Sequence, residues 1–208
     1  MQIQYFGLSS FKITTKEATV ITDPFHKDSG LTPPRGAADI MVLAENKNSL
    51  YSATSGISGD PFLMDTPGDY DVKGVTVTGI PLKQEGKYIS VFLMESEDIR
   101  ILNLTHIKEW NMKESEIEEL GEIDILILPV GGNVVMSAAQ AGKVVNEIEP
   151  KIVIPSYYKT SDLIIDVDPL EKFIKEMGGK NETLDKLTIK KKDLIEEGIK
   201  VVILEPLR

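Results

Sequence analysis

The chain has 208 residues, 41% of them hydrophobic and 27% charged, the composition of a globular protein long enough to bury a substantial core. It contains no cysteine, which excludes disulfides and thiolate metal sites. A net charge of −10 argues against broad binding to nucleic acid or to an anionic membrane, both of which need a cationic surface.

Residues 2–6 alternate like a strand and lack the basic start and apolar run of a signal peptide. No stretch approaches the ~18 apolar residues of a membrane span, so the reading is a cytoplasmic protein. Residues 11–15 and 18–22 are β-rich runs separated by Lys16-Glu17, a hairpin pattern. Residues 39–43 form a compact apolar run, as expected of a strand buried on both faces. Residues 46–60 are rich in Asn, Ser and Gly and read as a loop. Strands are then expected at 62–64, 70–72, 75–80, 88–94 and 99–104.

The second half changes character. Residues 112–120 predict an acidic helix and 123–129 an apolar strand that ends in Val130-Gly131-Gly132. Ser137 is placed to cap a helix running to about residue 148. A short strand follows at 151–155, a helix at 169–177 with Gly178-Gly179 as its stop, and a strand at 201–204. The basic cluster Lys190-Lys191-Lys192 reads as a solvated strand end or turn. Mostly β, then βαβα, is the order of two packed sheets with helices outside, in a single domain over 1–208.

Several segments together resemble the metallo-β-lactamase superfamily, and in particular its small lactonase-like and uncharacterised zinc-hydrolase branch. Residues 2–10 resemble its opening strand and Gly-His-Ser turn, and Thr22-Asp23-Pro24-Phe25 the Asp-Pro that closes the next hairpin. Residues 68–75 resemble the branch's Gly-Glu-Tyr-Glu-Val-Lys-Gly segment, with Gly79-Ile80-Pro81 following in register. Residues 124–132 and 148–158 resemble its strand-Pro-Val-Gly-Gly turn and its Pro-Lys-Ile-Val-Ile-Pro strand. The resemblance implies an αββα four-layer sandwich with the active site at one edge.

The family's chemistry needs a cluster of His and Asp that holds zinc and leaves one position for water, whose pKa the cation lowers. On the resemblance, Glu45 and Lys47 stand where the first two histidines belong, and Ser49 and Leu50 where an Asp-His pair belongs. Lys83 or Gln84 falls near a further His, His106 at the bridging Asp, Tyr157 at the final His, and Leu8 at the turn histidine. The only histidines are His26 and His106. The resulting expectation is a non-catalytic member used for binding or assembly, with no bound zinc and no cofactor. A hydrolase acting through a non-standard metal site, or through His106 and Lys47 without metal, is the alternative. A subunit that lends only an interface to an active homologue is a third.

His106 reads as a general base or as a histidine hydrogen-bonded in a disused cleft. Lys47 reads as paired with Glu45 or Asp23 in the former metal cleft, as a solvated side chain, or as a nucleophile of depressed pKa. Asp23 and Tyr158 are pocket candidates, with packing as the other reading for a tyrosine. His26 reads as an exposed loop residue and Gly131-Gly132 as a structural turn. A small-molecule ligand or a second copy of the chain is the expected kind of partner.

Overall fold

The computed structural model describes residues 1–45, 47–178, 181–194 and 198–207. In chain order the strands are β1 (Gln2–Gly7), β2 (Ser10–Thr14), β3 (Thr19–Thr22), β4 (Gly36–Ala37), β5 (Ile40–Val42), β6 (Ile57–Ser58), β7 (Phe62–Met64), β8 (Gly68–Val72), β9 (Val75–Gln84), β10 (Lys87–Ser96) and β11 (Ile99–Asn103). Helices then alternate with strands: α1 (Glu114–Leu120), β12 (Ile125–Pro129), α2 (Ala138–Ile148), β13 (Ile152–Ser156) and α3 (Glu171–Met177). The chain closes on β14 (Asn181–Leu184), β15 (Leu187–Thr188) and β16 (Lys200–Leu204).

The strands form two large sheets, ordered β15-β1-β2-β3-β5-β7 and β14-β16-β13-β12-β11-β10-β9-β8. Burial follows from position within them. In β1, Ile3 and Tyr5 are buried while Gln2, Gln4 and Phe6 are only half-buried, the period-2 pattern of a strand with one face on the core. β5, β12 and β13 are buried throughout and lie between parallel neighbours, which is why their sequences are unbroken apolar runs. Ile3, Tyr5, Val20 and Val42 of the first sheet share one core with Val91, Phe92, Ile101 and Leu126 of the second, so the sheets pack face to face. The αββα sandwich read from the sequence is the fold.

α2 opens on a reciprocal cap: Gln140 N donates to Ser137 Oγ and Ser137 N to Gln140 Oε1, at 3.4 and 3.0 Å. It buries Ala138, Ala141, Gly142, Val144 and Val145 and packs on α3 and β12. Gly178 ends α3 in the left-handed region (φ 61°), while Gly179 lies outside the described residues, as does Asn46 at the head of the expected loop. That loop contains β6, which pairs in parallel with β4. Lys190-Lys191-Lys192 is the expected turn, but Lys191 is bound within it: its Nζ donates to Asp124 Oδ2 at 2.8 Å. Among the described residues no helix is long and apolar enough to cross a membrane.

Candidate active site

One edge of the sandwich gathers the ends of β1, β3, β5, β11 and β13. Each of the residues Leu8, Asp23, Thr105 and Tyr157 follows one of these strands in the left-handed region, with φ of 52°, 37°, 54° and 56°. None is glycine, so each conformation costs free energy, and such costs cluster at functional sites. Hydrogen bonds join the strand ends: Tyr157 N donates to Leu8 O and to Tyr5 Oη, both at 3.0 Å, and Asp23 N to Val42 O at 2.9 Å.

His106 sits at the centre of this edge, 6% exposed. Its Nδ1 lies 3.8 Å from Asp23 Oδ2 and its Nε2 lies 3.8 Å from Glu45 Oε2. These spacings are too long for hydrogen bonds, so the contacts are electrostatic. Neither ring nitrogen has a hydrogen-bond partner among the described residues, and neither does Asp23 Oδ2. Asp23 is fully buried and fixed through its other oxygen, which accepts from Ala44 N at 2.8 Å. Burial pushes the His106 pKa down, but the two carboxylates more than offset it and the pKa ends above its ordinary 6.5. The neighbouring His106, followed by Lys87 and Asn48, pulls Glu45 down to about 2 against the opposing effect of burial.

The cation beside Glu45 is not Lys47. Lys47 is exposed on a turn and makes no ion pair with a described residue, so the expected pairing with Glu45 or Asp23 is corrected. Lys87 takes that role, its Nζ 2.8 and 2.9 Å from the Glu45 oxygens. It arrives from the two-residue turn between β9 and β10, where Glu85 and Gly86 both have positive φ (43° and 88°), as a type I′ turn requires. The same hairpin presents Gln84, whose Oε1 accepts from Lys108 N and Glu109 N at 3.0 and 2.9 Å. Lys83, the other reading at this position, is exposed.

Tyr51 covers His106, with ring centroids 4.1 Å apart and planes inclined by 21°. Its hydroxyl is hydrogen-bonded to that of Tyr157, and burial raises the pKa of both phenols. The loop carrying Tyr51 is stitched down on both sides: His26 N donates to Leu50 O, and Ala53 N to Pro24 O, each at 2.8 Å. Asn48 organises it from within, accepting from Leu50 N and donating to Glu45 Oε2, both at 3.0 Å. Tyr51, Asn48 and Lys87 escape a sequence reading. A tyrosine in a polar loop and a lysine beside a turn show no periodicity that marks them.

The remaining expected positions diverge. Leu8, Leu50 and Tyr157 join Tyr51, Phe25 and Val135 in a second apolar cluster beside the site. Ser49 is exposed. Tyr158 is not a pocket residue: it is buried in the main core, with its hydroxyl donating to Leu204 O at 3.1 Å. His26 is a loop residue, its Nδ1 3.0 Å from Asp28. Gly131 is structural, since a Cβ there would stand 2.0 Å from Tyr157 O. A cleft of about 190 Å³ opens onto His106, with Glu45, Tyr51, Gln84, Lys87 and Val134 in its walls.

This donor set does not fit the family's metal pair. A hydrolytic zinc takes three protein donors at ~2.0–2.3 Å and a water. Asp23 and Glu45 instead flank opposite nitrogens of one imidazole, so either side of the ring offers a single nitrogen and a single carboxylate. Leu8 and Leu50 offer no donor atom. Among the described residues no three His, Cys, Asp or Glu side chains are grouped to hold an ion.

Comparison with known proteins gives the family. The profile of the β-lactamase superfamily domain matches residues 2–157. A protein named UPF0173 metal-dependent hydrolase from Thermococcus onnurineus is 28% identical over 157 residues, which cover 72% of this chain and 68% of that one. One of the same name from Lysinibacillus sphaericus is 26% identical over 196 residues, with coverages of 77% and 86%. A crystal structure from Thermotoga maritima, assigned as a Zn-dependent hydrolase of the metallo-β-lactamase superfamily, superposes with a TM-score of 0.82 at 28% identity, covering 98% of this chain and 99% of its own. A metallo hydrolase from Ignicoccus hospitalis shares the fold at 14% identity, with a TM-score of 0.68 over 99% and 95% of the two chains. These hydrolase names overturn the expectation of a non-catalytic scaffold, which counted lost ligands and took chemistry to be lost with them. The chain belongs to the β-lactamase superfamily.

Proposed function

We propose that this protein is a hydrolase of small substrates whose reaction centre is His106, poised between Asp23 and Glu45. One observation carries the reading: a buried imidazole has a carboxylate facing each nitrogen, and it borders an open cleft. Asp23, without exposure to solvent, faces Nδ1 at 3.8 Å and favours the protonated ring electrostatically. Nε2 lies on the side of Glu45, which borders the cleft. A neutral His106 takes a proton at Nε2 from a water as the water oxygen attacks the substrate. The imidazolium, stabilised by both carboxylates, then returns that proton to the leaving group. Tyr51 keeps the ring in one plane, and His106 together with Lys87 holds Glu45 ionised. No step is assigned to a metal, because the residues do not converge on one.

The test is hydrolysis of a panel of small esters, lactones and β-lactams by the wild-type protein and by His106→Asn, each with and without chelator. Positioned acid–base catalysis contributes about 10²–10⁴-fold, and His106→Asn is expected to lose that much turnover. Turnover that chelator abolishes and His106→Asn leaves intact would sink the proposal, as would no turnover on any substrate.

A further inference from the structure

The end of the second sheet opposite His106 carries a much larger concavity. A groove of about 1160 Å³ runs between α1 and the C-terminal end of α2, where the chain enters β12 and β13. Its volume lies just above the ~300–1,000 Å³ typical of small-ligand pockets. Met112, Ile117 and Ile148 provide a half-buried apolar floor, and Met112 and Ile148 pack from below on the main core.

The rim decides what covers that floor. It carries Glu114, Glu118, Glu122 and Glu149, none of which forms an ion pair with a described residue, together with Glu147. Lys151 is the one cation in the lining, and its Nζ is committed to Asp124 at 3.2 Å. α2 ends here with no basic residue in its last turn, so Glu147 and Glu149 stand at the negative end of its dipole. Arg100 meets the corresponding end of α1, donating to Leu120 O at 2.5 Å, but its charge is shared with Glu95 on the other side. Apolar floor and uncompensated anionic rim together call for a ligand that is apolar on one face and cationic along its edges.

We propose that this groove docks a basic amphipathic helical segment of a partner protein, with aliphatic side chains on Met112, Ile117 and Ile148 and Lys or Arg against the glutamates. This rests on the groove alone and is independent of the chemistry at His106. The chain's single tryptophan reports on it, because Trp110 Nε1 donates to Glu147 Oε2 at 2.9 Å on the groove's rim. The probe is a tryptophan-free Leu/Lys peptide of amphipathic helical pattern, titrated into the full chain while Trp110 emission is followed. A scrambled peptide of the same composition is the control. Saturable binding is expected, weakened at least tenfold by scrambling, by Glu118→Lys with Glu149→Lys, and by raised salt in the wild type. No change in emission, or equal binding of the scrambled peptide, would overturn the proposal. Should the double variant fail to fold, the scrambled peptide and the salt series decide alone.

Discussion

Tyr51 lies nearly parallel to the imidazole of His106, 4.1 Å from it, and spends its hydroxyl on Tyr157 rather than on the histidine. The stack fixes the plane of the ring without competing for either nitrogen. Tyr51→Phe keeps that stack but strips the buried Tyr157 hydroxyl of its partner, and is expected to cost about 1–3 kcal/mol. Tyr51→Ala removes the ring as well and is expected to cost about 3–5 kcal/mol. Urea denaturation separates the two; equal stability of Tyr51→Phe and wild type would show the hydroxyl pair contributes nothing.

The pKa directions set a window of stability. The folded pKa of His106 is raised, so its contribution is fully present below the unfolded value near 6.5 and is lost as pH rises through the folded value. That of Glu45 is lowered to about 2, so its contribution is fully present above the unfolded value near 4.5 and fades as pH falls toward 2. Both act together between about pH 4.5 and 6.5. Melting temperature against pH is expected to flatten in Glu45→Gln on both flanks. Hydrolysis, which needs neutral His106, is expected to rise with pH through a midpoint above 6.5, and Glu45→Gln to move that midpoint down.

Two lysines close to Glu45 in sequence or in space should behave differently. Lys87→Ala removes the Glu45 partner from a half-exposed pair, worth at most about 1 kcal/mol in stability, and is expected to raise the Glu45 pKa. Lys47→Ala is expected to change neither stability nor turnover. A carboxylate titration followed by NMR checks both, and a response to Lys47→Ala would mean that its exposed position is not the working one.

Gly131→Ala tests the link between the turn after β12 and the Tyr157 backbone. The added methyl meets a carbonyl oxygen at 2.0 Å and the Val167 side chain at 3.0 Å. Overpacking of this kind is expected to cost about 1–3 kcal/mol or more, read as a fall in melting temperature. An unchanged melting temperature would show that this corner yields freely.

The fold was legible where burial leaves a pattern. Apolar runs at 39–43 and 123–129 mark β5 and β12, and Ser137 marks the start of α2. β14 leaves no such trace: Asn181, Glu182 and Thr183 are exposed on an edge strand, held by parallel pairing to β16 rather than by a buried face. Asp23, Glu45 and His106 were found through the family's ordered segments. Their relation was not, because register along a chain does not give the direction of a side chain. Lys47 is two residues from Glu45 yet points to solvent, whereas Lys87 reaches it across 42 residues of sequence.

The two hydrogen bonds that pin the Tyr51 loop, His26 to Leu50 and Ala53 to Pro24, have a kinetic consequence. That wall of the cleft is fastened at both flanks and is not built to swing. A ligand that reaches His106 through this cleft, with half-exposed Val134 in its wall, is therefore expected not to wait for an opening step. Its observed rate of association should climb in direct proportion to its concentration, with none of the plateau that a gated site imposes.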